Sequence, residues 1–356
     1  MTPPDTPPAP VAVLGVGRMG RHHARTYAKL PVADLRAVVD FDLKRAQTVA
    51  DEYGCRAYDS VDALLAGEPD LVAASVATPT QTHLESAGAL LKRGIGALVE
   101  KPLAPTVEEA AALADAAHAA GAVLQVGHTE RFNPAVRAVA ALDIVPRFIE
   151  IDRVSPMTFR SLDVGVVMDL MIHDLDIVLM LVRSKIERVD SVGIAVMGQE
   201  EDICDCRIEF ESGCVVNLTA SRVALKTERK LRLFSEDAYV SLDYQQRTGV
   251  VLRRTSNALA LSAVREAIHT GADLSEVDYQ DLLNVEQLTM DLPEGQDDPL
   301  TAQLTAFLHA VQSGEAPPVT AEDGYAAVDA AQRVLRGIRK HKWEGDTGEG
   351  ILNALP

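Results

Sequence analysis

The chain has 356 residues, 47% of them hydrophobic, enough to bury a substantial core and to make two domains rather than one. Lys and Arg number 34 against 52 Asp and Glu, and the formal charge of -18 argues against nucleic acid or an anionic membrane as partner, one local basic pocket apart. The apolar runs are too short or too interrupted by charge to span a bilayer, so a cytoplasmic protein is expected.

The opening MTPPDTPPAP holds five prolines and no Lys or Arg, so it lacks the anatomy of a signal peptide and reads as a disordered tail over residues 1–10. From Val11 the chain alternates short β-rich runs (VAVLG, LRAVVD, DLVAASVA, GALVE, AVLQVG) with amphipathic or Ala-rich helices. That βαβ series predicts a parallel sheet with helices on both faces, a dinucleotide-binding domain over residues 11–130.

In VAVLGVGRMGRHHA, Gly15, Gly17 and Gly20 form GxGxxG between a strand and a helix. The first glycine permits the tight turn, the second lets the backbone approach a pyrophosphate, and the third lets helix and strand pack closely. With Arg18 and Met19 they make the phosphate end of a cofactor site, while His22 and His23 are expected to face solvent. The next run ends at Asp40, twenty positions after Gly20, where a carboxylate can accept hydrogen bonds from an adenosine ribose. Asp40 would repel a 2′-phosphate, which favours NAD over NADP, although Lys44 and Arg45 stand close by.

Thr78, Pro79 and His83 of ATPTQTH follow the fourth run and are candidates for the nicotinamide side; capping or solvating its helix is an equal reading for His83. IGALVEKPL then sets Glu100, Lys101 and Pro102 at the carboxyl edge of a parallel strand, where ligands bind in open α/β sheets. A surface lysine in a turn is the alternative, but the proline restricts Lys101 and so directs its side chain. In GHTERFNP, Arg131 and Asn133 are candidate substrate ligands, with a salt bridge at the domain junction equally open for Arg131.

Beyond Pro146 longer alternating strands (RFIEIDRV, RVDSVGIAVMG, ICDCRIEF, CVVNLTASRVA, KLRLFSEDAYVSLDY) predict a largely antiparallel open sheet within an α+β domain over residues 131–344, ahead of a tail at 345–356. The predicted fold class is α/β. In ICDCRIEF the alternation puts Cys204, Cys206, Ile208 and Phe210 on one face, so these cysteines read as reduced core residues and no metal site is expected. Arg153, Arg160 and Arg222 are further candidate anion contacts, with Arg160 placed among the substrate candidates.

A helix over about Asp163–Val182 interrupts the strands and contains MDLMIHDLDIVL. Asp169, His173 and Asp176 lie at i, i+4 and i+7, one face of a helix, and burying such groups without a task costs several kcal/mol unless they pair. Asp174 and Asp176 carry no assigned role, and pairing to Arg or Lys is the alternative to catalysis for both. Further helices are predicted at Ala258–His269, Leu300–Val311 and Ala321–Arg339.

Taken in order, GVGRMG, ATPTQTH, EKP, GHTERFNPAV and DLMIHDLD resemble the Gfo/Idh/MocA family, from Val11 to about Arg339. The resemblance implies a Rossmann domain, a second domain whose open sheet makes a homodimer or homotetramer, and oxidation or reduction of a sugar or cyclitol carbinol. It assigns Lys101, Asp169 and His173 to catalysis and implies a cis bond between Lys101 and Pro102. Within the family, GHTERFNPAV, DVGVVMDLMIHDLDIV and NLTASRV are most similar to UDP-N-acetylglucosamine 3-dehydrogenases, which implies a UDP-N-acetylhexosamine oxidised at its 3-hydroxyl by NAD. Met171 stands where several sister proteins have glycine.

In that chemistry His173 takes the hydroxyl proton, Asp169 orients it or binds substrate, and Lys101 stabilises the alkoxide, with Lys101 as the alternative base. Other readings are a free-sugar or inositol dehydrogenase, an NAD-requiring glycosidase, and a non-enzymatic NAD sensor.

Overall fold

The structure, a computed structural model, describes residues 7–158, 164–254, 258–271, 283–290 and 298–341. Among these the chain forms two compact units, the first of residues up to 133 with 175–179 and 298–336, the second of the remainder.

The first unit is built on strands β1 (Ala9–Leu14), β2 (Ala33–Val39), β3 (Arg56–Tyr58), β4 (Ala73–Val76), β5 (Gly96–Glu100) and β6 (Leu124–Gly127). They form a parallel sheet in the order β3-β2-β1-β4-β5-β6, the strand order of dinucleotide-binding folds, in which the ligand crevice opens at the reversal beside β1. The first strand begins two residues earlier than expected: Ala9 and Pro10 are strand, not tail. Pro10 tolerates this place because its carbonyl accepts the Val72 N–H while its missing donor falls at the strand's start.

Alternation along the strands divides the core. Val11 and Val13 of β1, Val38 of β2 and Leu98 of β5 face α1 (Arg18–Tyr27), α2 (Leu43–Tyr53) and Leu304, Phe307 and Leu308 of α9 (Pro299–Ser313). Ala12 and Leu14, Val39, Ala97 and Val99 face α3 (Val61–Gly67), α4 (His83–Leu91) and α5 (Val107–Ala120), with Ala321 and Val328 of α10 (Ala321–Lys340). The closing helices, which sequence texture groups with the second domain, therefore pack on the first sheet. Phe307 and Leu308 are fully buried there, and the side-chain amide of Gln125 on β6 donates to the Gln303 carbonyl at 3.1 Å.

After α6 (Pro134–Ala140), the second unit carries β7 (Phe148–Val154), β8 (Ile186–Ile194), β9 (Ile203–Phe210), β10 (Val215–Ser221), β11 (Glu228–Phe234), β12 (Ala238–Asp243), β13 (Thr248–Arg254) and β14 (Leu283–Gln287), and helix α8 (Ala258–Thr270). Their order is β14-β13-β12-β11-β7-β10-β9-β8, antiparallel except where β10 runs parallel to β7. KLRLFSEDAYVSLDY is a hairpin of β11 and β12, turned where the Ser235 hydroxyl accepts the Ala238 N–H at 3.0 Å. On β9, Cys204, Cys206, Ile208 and Phe210 are buried as the alternation predicts, and burial pushes the Cys206 thiol up to about 12.

Candidate active site

The glycine loop joins β1 to α1. Gly15 adopts φ +78°, a left-handed conformation, and a Cβ there would stand 2.7 Å from the Ala77 carbonyl oxygen. At Gly20 a Cβ would fall on the Gly15 carbonyl, so no larger residue lets α1 start so close to β1. A Cβ on Gly17, in contrast, would meet nothing within 4 Å, and no side chain caps the helix it begins. The N-terminal turn of that helix borders a groove of about 500 Å³ lined by Val16, Gly17, Arg18, Arg21, His22, Arg45 and Thr48. Arg18 and Met19 are exposed beside it. An open glycine and uncapped N–H groups fit a pyrophosphate.

Asp40, just past β2, is buried, and its carboxylate accepts the Val16 and Asp42 N–H groups, each at 3.0 Å. It thereby ties the second strand to the glycine loop. Arg45 reaches the same carboxylate at 3.3 Å while lying over the Phe41 ring, 5.5 Å from its centroid. Of the two cations that the sequence places near Asp40, Arg45 is therefore in direct contact with it.

Past β4, His83 is buried rather than solvated. Its ring nitrogens stand 3.2 Å from the Pro102 and Leu103 carbonyls and 3.0 Å from that of Thr78, joining the loops after β4 and β5. Burial, opposed by those carbonyls, lowers its pKa. Thr78 is half-buried and takes a hydrogen bond from the Thr82 hydroxyl at 2.9 Å, while Pro79 is exposed.

At the end of β5, Glu100 is buried, Lys101 is half-buried, and the Lys101–Pro102 bond is cis. His23 corrects the expectation of a solvent-facing side chain: the ring is fully buried, with Nε2 3.0 Å from Glu100 Oε1. It lies one helical turn before the fully buried Tyr27 and shares its inward face, whereas His22 stays half-exposed. His128, at the end of β6, is fully buried; burial lowers its pKa, opposed by Asp176 and aided by Arg131 and Lys101.

In the second unit, Val167–Met171 is a π-helical turn that runs into α7 (Ile172–Val182), of which Leu175–Leu179 belongs to the first unit. Such widened turns recur at functional sites. It is pinned from outside the helix: the Glu201 backbone carbonyl accepts the Val166 N–H and its carboxylate the Val167 N–H, both at 3.0 Å. Gly165 makes room, since a Cβ there would strike that carboxylate. Asp169 sits on the π turn and His173 on the α-helical turn after it, both half-buried.

Asp174 and Asp176 pair instead with arginines. Arg153 binds Asp174 through two contacts of 2.7 and 2.8 Å, and Arg131 binds Asp176 through two of 2.7 Å while also lying 3.1 Å from Asp323. Arg131 therefore forms an ion pair of the kind that its sequence reading set beside a substrate contact. Arg222 is likewise buried against Asp202 at 2.5 Å. Asn133 closes the turn after β6, its amide donating to Glu130 at 3.0 Å, and Arg160 lies outside the described residues.

Residues 10–128 match the model of an oxidoreductase family with an NAD-binding Rossmann fold, and residues 149–241 match the GFO/IDH/MocA C-terminal domain. A UDP-N-acetylglucosamine 3-dehydrogenase of Acidithiobacillus ferrooxidans is 38% identical over 276 residues, 76% of this chain and 87% of that one. The chain belongs to the Gfo/Idh/MocA family. A scyllo-inositol 2-dehydrogenase (NAD(+)) of Bacillus subtilis is 31% identical over 60% of this chain and 67% of its own. The solved Acidithiobacillus ferrooxidans enzyme superposes with a TM-score of 0.81 at 33% identity, covering 93% of this chain and 97% of that one. This Gfo/Idh/MocA protein is therefore an NAD-binding oxidoreductase acting on a CH–OH group. Among its described residues no helix is long and apolar enough to cross a membrane.

Proposed function

We propose that the chain oxidises the 3-hydroxyl of a UDP-N-acetylhexosamine with NAD, using Lys101, Asp169 and His173. The observation that carries this reading is the 38% identity to a UDP-N-acetylglucosamine 3-dehydrogenase over most of both chains. Bound NAD supplies the hydride acceptor. His173 removes the hydroxyl proton, Asp169 one turn earlier orients the ring and favours its protonated form, and the Lys101 ammonium lowers the energy of the forming alkoxide. Exchange of the base role between His173 and Lys101 stays within this proposal.

The identity to a scyllo-inositol 2-dehydrogenase supports a second reading, oxidation of a free cyclitol or sugar. NADH formation across UDP-N-acetylglucosamine, its uronate, glucose and inositol separates the two. Turnover of the UDP-sugar that weakens with salt and is inhibited by UDP supports the first; turnover of inositol alone overturns it. In single-turnover NAD reduction, His173→Ala, Asp169→Ala and Lys101→Ala each lose roughly 10²–10⁴-fold in rate while still binding NAD. Near wild-type rates in all three would sink the assignment.

The same proposal takes the enzyme as a cytoplasmic homo-oligomer joined through the second sheet. Four free thiols support a reducing compartment. The polar face of that sheet, a groove of about 440 Å³ carrying Glu150, Asp152, Asp205, Arg207 and Arg232, supplies charges of both signs for self-association.

A further inference from the structure

Between α1 and β5 lies a buried pair of ionisable groups that the proposed chemistry does not use. His23 stands on the second turn of α1 and Glu100 ends β5, 77 positions later, with 3.0 Å between Nε2 and Oε1. Gly127, the partner of Glu100 on β6, gives the carboxylate its space: a Cβ there would lie 2.8 Å from Oε1. The other ring nitrogen of His23, Nδ1, is buried with no hydrogen-bond partner among the described residues. An apolar ring would fill the same volume without that desolvation cost, so packing does not explain the imidazole.

Burial alone would drive Glu100 to its neutral form. The hydrogen bond and charge of His23, then the charge and backbone N–H of Lys101, reverse this and hold the carboxyl below its ordinary range. An ionised carboxyl only accepts hydrogen bonds, so Nε2 carries the proton that meets it. Glu100 is the residue directly before Lys101 at the end of β5, so whatever fixes its side chain bears on the main chain that carries the lysine. Titratable groups that sense Glu100 are His23 on α1, Lys101 beside it, His83 on α4 and His128 past β6.

We infer that His23 is a positioning residue for Lys101. Its Nε2–H holds the Glu100 carboxylate, and Glu100 holds the main chain and the charge of Lys101. The helix whose first turn faces the pyrophosphate groove is thereby joined through two side chains to the lysine that follows β5. This rests on the reading of Lys101 as the group that stabilises the alkoxide.

The test uses full-length enzyme with NAD and the substrate it turns over, and compares His23→Leu, His23→Gln, Glu100→Gln, His23→Leu with Glu100→Gln, and Lys101→Ala. His23→Leu is expected to lose roughly 10- to 100-fold in kcat with KM for NAD nearly unchanged, the scale of a misplaced catalytic group. It also acquires a new loss of activity toward acid pH, because Glu100 without its donor takes up a proton at a higher pH than before. His23→Gln keeps an N–H near the Nε2 position and restores most of both. The double variant is no slower than Glu100→Gln alone, because His23 acts through Glu100.

Wild-type kcat and pH profile in His23→Leu, with Lys101→Ala inactive, overturns the inference while leaving the role of Lys101 standing. An active Lys101→Ala refutes that role first and the link with it. If His23→Leu shows no cooperative thermal transition, the ring-nitrogen NMR shifts of His23 in the wild-type protein decide. A proton on Nε2 is expected, and a bare Nε2 facing Glu100 overturns the proposal.

Discussion

Asp174 and Asp176 are the two carboxylates of MDLMIHDLDIVL that lie without a role in the sequence, and each ends in a two-point pair with an arginine, Arg153 buried and Arg131 partly so. The side chains of Arg153 and Asp174 are 4% and 2% exposed, so removing the cation breaks an ion pair that lies out of reach of water. Arg153→Met is expected to cost about 3–5 kcal/mol in denaturant unfolding; a loss within about 1 kcal/mol, as for a surface pair, would refute the burial argument. The buried histidines set a second expectation. Burial depresses His83 and His128 below the ordinary 6.5, so the unfolded chain takes up protons there before the folded one does. Their contribution to stability is complete above that value and declines as pH falls through it. Below 4.5 the depressed Glu100 adds a further loss of the same sign. The thermal midpoint should fall on acidification through this range, and a flat or rising midpoint contradicts the assignment.

At the scale of elements, DxxxH was legible because a four-residue spacing puts two side chains on one helical face. The π turn beneath it was not, since α and π turns share that spacing. What pins it is Glu201, 34 positions from Val167. Gly165→Ala drives a Cβ into the Glu201 carboxylate, with an expected cost of about 1–3 kcal/mol. Because the displaced segment carries Asp169 and His173, kcat should drop while KM for NAD holds. Unaltered kcat in a folded variant would mean that the turn does not aim them. Strands β3, β13 and β14 also escaped the sequence reading: three residues for β3 are too few for alternation to register, and LNVEQ of β14 gains its hydrogen bonds from Val250–Arg254.

For the whole molecule, the second sheet presents a charged face on which Arg232 lies 3.3 Å from Glu150 and 3.8 Å from Asp152. Burial raises the pKa of Asp152, opposed by Arg232 and reinforced by Glu150, Glu228 and Asp205. If this face joins copies of the chain, Arg232→Glu sets like charges against one another and should lower the mass measured by light scattering, with the thermal midpoint of the remaining species little changed. An unchanged oligomer mass moves the interface elsewhere. The first sheet depends on distant chain in another way. Leu304, Phe307 and Leu308, from the closing part of the sequence, complete the face covered by α1 and α2.

The parallel sheet, the glycine turn and the cofactor class were readable from the sequence by itself, because each is written in neighbouring residues through periodicity, steric demand or motif spacing, whereas EKP and DxxxH took their meaning from the family resemblance. Only the tertiary structure decided that His23 turns inward to Glu100, that Arg131 and Arg153 neutralise carboxylates, and that the closing helices cover the first sheet. Those outcomes depend on pairs far apart in the chain, where the cost of burying a charge or an apolar face is met by whichever partner the fold brings near.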